Sequence, residues 1–279
     1  MKVSVHPLRA TVIGAGYTLL VFAMVFPIYW LVLTSFKPGY LTQTNPPVFF
    51  TSKLTLANYV QVFHDDSLRV FFLNSLTVAL GTTLSTVILG SLAAFSLSKS
   101  HLSYGLRHGI LTWILLIRVF PPIVVGIPYF TLLQRVGLTD TRFGLLLTHL
   151  SLTIPFVVWL MLGFFQDLPE ELDKAAMIDG CSMWRRFWQI GFPLVGPGVA
   201  VTAIFAFIIS WNEYLFASIL TSFNAKTLPV AIATFIGERR LEWGLMSAVG
   251  TFMLIIPVLF AFIGQRYIVQ GLTFGAVKE

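Results

Sequence analysis

Charge is scarce in this sequence. Only 11% of the 279 residues are charged, 18 Lys or Arg and 12 Asp or Glu, against roughly 25% in soluble domains. The rest is 56% hydrophobic, with a mean hydropathy of +0.83. No single globular core hides that much apolar surface, so the chain is read as an integral membrane protein. Cysteine is nearly absent too: one residue, Cys181, excludes an internal disulfide. No Gly-x-x-x-x-Gly-Lys-[Ser/Thr] occurs, nor any Gly-Lys pair. The phosphate-cradling loop of an ATPase is therefore missing, and the chain is not read as an enzyme. His6, His64, His101, His108 and His149 show no metal-ligand spacing with cysteine or acids, so no metal site is expected. The net charge of +6 and pI of about 9.6 come from basic residues scattered between apolar runs. That distribution belongs to membrane proteins and gives no reason to expect nucleic acid.

Apolar runs are abundant. A helix crosses the hydrocarbon in about 20 residues, and six stretches qualify: 11–35, 70–97, 109–132, 143–165, 198–220 and 244–265. In lipid the backbone has no partner but itself, so these runs predict helices. The first follows Lys2 and Arg9, and the stretch 10–36 has no charge. It exceeds a signal-peptide h-region of about 7–15 residues, so it reads as a retained span. Pro121, Pro122 and Pro128 predict a kinked or broken third span, either a packing kink or backbone lining a cavity. Gly14 and Gly16 read as helix-packing glycines. The connections 37–69 and 221–243 are long, and 37–69 carries no legible motif. Six spans put both termini on one side. That side has Lys2, Arg9, Lys99, Arg107, Lys174, Arg185, Arg186, Arg266 and Lys278, nine basic residues against eight opposite, so charge bias leaves orientation undecided.

The connection 166–197 is more than a turn. Asp167-Leu168-Pro169-Glu170 reads as a helix start, with Asp167 as cap, Pro169 in the first turn and Glu170 closing a capping box. Glu170, Glu171 and Asp173 favour the positive end of the helix dipole. Ala175 and Ala176 are small enough for a partner to approach the backbone. Asp179-Gly180 ends the helix through a left-handed glycine. Ser182 caps a second short helix, which places Trp184, Phe187 and Trp188 on one face beside Arg185 and Arg186, and Gly191 and Pro193 stop it. Two readings are open here: a helix laid into a partner's groove, or an interfacial amphipathic helix with tryptophan at the headgroups.

Charges within the spans are costly, about 2.5–3.5 kcal/mol each on insertion scales, and mark functional positions by default. Arg118 lies in the third span and Asn212-Glu213 in the fifth. They border a polar path or its gate, with Trp211 and Tyr214 beside them able to cover an apolar ligand face, or else Arg118 and Glu213 form a buried pair that fastens the third span to the fifth or this subunit to a partner. His149, in the fourth span, is expected to be packed and hydrogen-bonded, not part of a site.

The segment Lys174-Ala175-Ala176-Met177-Ile178-Asp179-Gly180, followed by Ile190-Gly191-Phe192-Pro193, resembles the "EAA" loop of binding-protein-dependent ABC importer permeases, E-A-A-x-x-x-G then I-x-L-P. Asn74-Ser75-Leu76, Trp211-Asn212-Glu213-Tyr214 and the tail 265–278 resemble the carbohydrate branch, the family of the second maltose-type permease. Two positions depart from the pattern. Lys174 replaces the motif's first Glu, so no salt bridge from there can be assumed, and Cys181 replaces an Ala.

The resemblance implies an all-α membrane protein with six transmembrane helices, a type I ABC importer permease fold, in a bacterial or archaeal inner membrane with both termini cytoplasmic. It implies a first helix and external loop over 1–69, a transmembrane core over 70–270 and a cytoplasmic tail over 271–279. Glu170, Glu171, Lys174, Ala175, Ala176, Asp179, Gly180 and Arg185 would couple to an ATPase dimer that uses ATP and Mg, this chain binding no cofactor itself. Loops 37–69 and 221–243 would face an extracytoplasmic sugar-binding protein or lipoprotein. A second, different permease and membrane lipid complete the expected partners. The rival readings are a secondary transporter using Arg118 and Glu213 without an ATPase, and a non-transporting scaffold.

Overall fold

The computed structural model describes residues 7–99, 102–235 and 242–273, with side chains over 11–99, 102–235 and 242–265. The tail resemblance beyond Gln265, the expected cytoplasmic tail, His6, His101, Arg239 and Arg240 lie outside those side chains. Everything described is helix or connection: α1 (Pro7–Ser35), α2 (Gly39–Thr42), α3 (Ala57–His64), α4 (Asp66–Lys99), α5 (Tyr104–Val119), α6 (Pro122–Arg135), α7 (Arg142–Gln166), α8 (Glu170–Ile178), α9 (Met183–Arg186), a π turn (Phe187–Gly191), α10 (Phe192–Leu194), α11 (Gly196–Trp211), α12 (Leu215–Leu220), α13 (Leu228–Thr234) and α14 (Trp243–Thr273).

Four helices are long and apolar enough to cross a membrane unaided, over Thr11–Ser35, Asp66–Lys99, Arg142–Gln166 and Trp243–Gln265. Two bent helix pairs raise the total to six if each pair is one span. In the first, α5 and α6 meet at 92°, the break expected from the prolines. Pro121 and Pro122 remove consecutive amide donors, and Phe120, preceding a proline, is pushed to an extended conformation with ψ 127°. In the second, the 183–194 segment meets α11 at 82°. The expected continuous fifth span over 198–220 is corrected: α11 ends at Trp211 and helix resumes at Leu215.

The chain forms two compact units. The first comprises residues 1–69 and 232–255. The apolar window of α1 is only 11% buried, and among the described residues no atom approaches a Cβ built on Gly14 or Gly16, so the packing expected of them is not made there. The connection after α1 is ordered and contains α2 and α3, which no motif announced. Lys37 is its anchor. The side chain is buried, Nζ donates to the Val48 carbonyl at 2.6 Å, and the ammonium lies 4.0 Å from the Trp30 ring centroid. Burial holds its pKa below the usual lysine range. Asn58 donates to the Ser35 and Lys37 carbonyls, and Tyr59 meets Ser35 Oγ at 2.6 Å.

The second unit, 70–231 with 256–279, holds the main core. Phe95 of α4, Val157, Met161 and Phe165 of α7, Phe187 of the π turn and Ala206 of α11 are buried together. Glycines let the helices close. A Cβ on Gly90 would lie 2.6 Å from Val157 Cγ1, and one on Gly198 would meet the Phe164 ring. One hydroxyl pair lies inside the core where α4 meets α7, Thr86 with Thr153 at 2.8 Å.

Candidate functional site

The segment after α7 is built differently from its sequence reading at the start and as expected at its turn. Asp167 caps the end of α7, and α8 begins after Pro169 with no side-chain cap, so the expected capping box is corrected. A proline at that position already fixes an extended entry, with ψ 129°. Glu170 and Lys174 pair at 2.9 Å across one helical turn. Each supports the other's charge: Glu170 titrates below and Lys174 above its ordinary value, chiefly through their mutual hydrogen bond. Lys174 in the motif's acidic position therefore does carry a salt bridge, made inside α8.

Gly180 has φ +75°. Its N–H donates to the Met177 carbonyl and that of Cys181 to the Ala176 carbonyl, at 3.1 and 2.9 Å. This pair of bonds is a Schellman cap, which requires a left-handed residue at Gly180. Ser182 Oγ then accepts from Arg185 N–H, as expected of a second cap. That second helix is not stopped by Gly191 and Pro193. It passes through the π turn and continues to Leu194, where the 82° bend into α11 follows. Across the turn, Arg186 Nη1 donates to Asp173 Oδ2 at 2.7 Å, both side chains largely buried.

The two faces of the segment differ. Ala176 and Phe187 are buried, Phe187 against Phe95 and Phe165. Trp188 packs on Phe187 and Phe192, while Trp184 stands exposed against its edge. Trp184, Phe187 and Trp188 thus do not share one outward face, because the core claims Phe187. Ala176 is likewise unavailable to a partner, whereas Ala175 is exposed. Outward lie Glu170, Glu171, Lys174, Ala175, Asp179, Gly180 and Arg185, with Met177, Trp184 and an Ile178 that is 87% exposed. An isoleucine so open at a helix tip, ringed by charge, suits a partner surface.

The intramembrane residues do not assemble as a single cluster. Arg118 ends α5 exposed, its guanidinium 5.2 Å from the Phe156 ring centroid. Of the two readings, the Arg118–Glu213 pair is not formed, because Glu213 turns to His149 of α7, Oε2 to Nε2 3.3 Å. Its carboxylate also accepts from Phe216 and Ala217 N–H at 2.8 and 3.1 Å. These bonds cap α12 and break the fifth span, a side chain displacing the helix's own acceptors. Trp211 is 1% exposed, stacked on Phe207 and edge-on to Phe72, so it offers no free face to a sugar. Asn212 and Tyr214 are exposed at the break.

A third constellation escaped the sequence reading. Asp140, at φ 54°, receives the backbone N–H groups of Ser222, Phe223, Asn224 and Ala225 on its carboxylate. Burial alone would raise its pKa, but these four donors outweigh it and hold the carboxyl below the usual range. Asn74 donates to the Asn224 and Lys226 carbonyls and accepts from Arg142 Nε at 2.6 Å. Ser75 Oγ accepts from Leu228 N–H. The starts of α4 and α7 thereby fix the loop after α12.

The geometry describes a helical membrane bundle with an exposed, braced segment between two spans. Residues 86–274 match the family described as binding-protein-dependent transport system inner membrane component. The chain belongs to this family. The permease is 38% identical over 264 residues to "Probable ABC transporter permease protein y4oR" of Sinorhizobium fredii, covering 94% of this chain and 93% of that one. It is 35% identical over 273 residues to "Trehalose transport system permease protein SugB" of Mycobacterium tuberculosis, covering 97% and 98%. Its fold resembles a chain in the crystal structure of a bacterial ABC transporter involved in alginate import, with a TM-score of 0.76 at 21% identity over 93% of this chain and 96% of that one. It is a multi-pass inner membrane permease of an ABC transport system that works with a binding protein, and the ATPase is a separate subunit.

Proposed function

We propose that this permease forms half of the translocation path of a carbohydrate importer and is driven through residues 170–180. The observation that carries the coupling role is the two-faced segment: one side buried in the core through Ala176, Phe187 and the Asp173–Arg186 bridge, the other open at Ile178. A docked ATPase pushing on the open side would move the spans that hold the buried side. Glu170, Glu171, Lys174, Ala175, Asp179, Gly180 and Arg185 form or shape the docking face, and Ala176 anchors it. ATP and Mg are used in the ATPase dimer. The termini are then cytoplasmic, loops 37–69 and 221–243 face the sugar-binding protein, and a second, different permease supplies the other half of the path.

Relatives named for trehalose, trehalose/maltose, diacetylchitobiose and arabinooligosaccharide transport support a carbohydrate as solute. Asn212 and Tyr214 are the residues that would border its path, while Trp211 and Glu213 hold the break that exposes them. Arg118, exposed at the α5–α6 break, is a further candidate for the path wall.

The test is purification in mild detergent followed by uptake in vesicles. Co-purification with a P-loop ATPase and a second permease, and sugar uptake that requires ATP and the binding protein, are expected. Gly180→Val, which cannot hold φ +75° without strain, should leave the spans folded yet abolish uptake. A chain that purifies alone and moves solute without ATP would refute the proposal.

A further inference from the structure

Buried polar groups that serve no packing need are the places to look for function in a membrane-embedded bundle. In the second unit one stands apart. His149 is 1% exposed and Glu213 8%. His149 Nδ1 lies 2.7 Å from Ser210 Oγ of α11, and its Nε2 lies 3.3 Å from Glu213 Oε2 without hydrogen-bond alignment. The backbone beneath is tied in as well: Thr153 Oγ1 donates to the His149 carbonyl and meets Thr86 Oγ1 of α4. One imidazole thus touches the last turn of α11 through Ser210 and the cap of α12 through Glu213, the two sides of the break.

We propose that His149 is a positioning residue for transport, acting through Glu213 to set the break that presents Asn212 and Tyr214. This rests on the reading that those two residues border the solute path. When the Ser210 hydroxyl donates to Nδ1, the ring proton sits on Nε2 and faces the carboxylate. The carboxylate is then held by the N–H groups of Phe216 and Ala217, with the imidazole N–H facing it at 3.3 Å. Without the imidazole a nearly buried carboxylate would lose the side-chain partner it has among the described residues and keep the α12 cap. Glu213 would then be free to swing out of the bundle, and the break would change with it. The misaligned Nε2 contact means that a small rotation of α12 against α7 makes or loses this bond, so the clasp can differ between transport states without large motion.

The test uses the whole complex reconstituted in vesicles. His149→Leu removes both contacts, and His149→Gln keeps one donor at similar reach. Loss of a buried charge's partner is expected to lower uptake at least about tenfold in His149→Leu, with substantial recovery in His149→Gln. A separate reporter, Asn212→Cys in a Cys181→Ala chain, is labelled with a maleimide. Its reactivity should shift several-fold, roughly, when His149→Leu is added and return with His149→Gln. If His149→Leu does not assemble, Ser210→Ala, which frees the ring without opening a large cavity, should move uptake and labelling in the same direction. Unchanged uptake and labelling in His149→Leu, or in Ser210→Ala where His149→Leu fails to assemble, would overturn the clasp. Equal loss in His149→Gln and His149→Leu with unaltered labelling would also overturn it, since packing alone would then explain the loss. Asn212→Cys that resists labelling in the assembled complex would instead overturn the path reading on which the clasp rests.

Discussion

Asp173 and Arg186 stand 13 positions apart and meet across the Gly180 turn. Their bond braces α8 against the helix that leads into α11. Arg186→Leu or Asp173→Asn should destabilise the purified complex by about 1.5–3 kcal/mol, the range for a charged hydrogen bond, and lower the solute moved per ATP hydrolysed. The exchanged pair Asp173→Arg with Arg186→Asp should recover part of both. Melting curves and coupled uptake assays read the two effects, and single variants that transport normally would exclude the brace. Asp140 makes a pH prediction. Its folded pKa is depressed, so its contribution is fully present above the ordinary carboxylate range and is lost as pH falls through the lower folded value. Asp140→Asn should speed amide exchange in the loop 222–225 by about tenfold at neutral pH. The difference from the unaltered protein should shrink in acid, and equal exchange at neutral pH would contradict this role. At this scale the sequence was least legible. Nothing in spacing links Glu213 to His149, which lie in different spans, or Asp140 to loop amides more than 80 positions away. Such partners exist only after the helices pack.

Elements were far more legible, for a physical reason. Lipid-length apolar runs can only be helices; five of the six stretches correspond to the four long helices and the α5–α6 pair, while the fifth is divided between α11 and α12. The paired prolines announced the α5–α6 break through the amides they lack. The fifth-span break was not announced, because a glutamate that caps a helix looks the same in sequence as one that lines a path. Likewise α2 and α3, of four and eight residues, are too short to show a period, and are held by Lys37 and Asn58 acting on backbone carbonyls. Helix crossings give a test. The Cβ of Gly90→Ala would sit 2.6 Å from Val157 Cγ1, on a stiff β-branched side chain. Overpacking should cost about 1–3 kcal/mol, visible as a lowered melting temperature of the complex and relieved by Val157→Ala. An unchanged melting temperature would show that α4 and α7 separate more easily than their packing indicates.

For the whole molecule, the family fixes the role of a permease beside a separate ATPase. What the structure adds is a segment with one anchored face and one open face. The "EAA" resemblance located that segment in the sequence, but only packing divides Ala175 from Ala176 and sends Phe187 inward. The open face predicts where the ATPase sits. The direct measurement is a cross-link from Ile178→Cys in a Cys181→Ala chain within the purified complex. An adduct with the ATPase subunit that arrests uptake is the expected result. A complex that holds the ATPase and transports sugar, but gives no ATPase adduct from this position, would contradict coupling through residues 170–180.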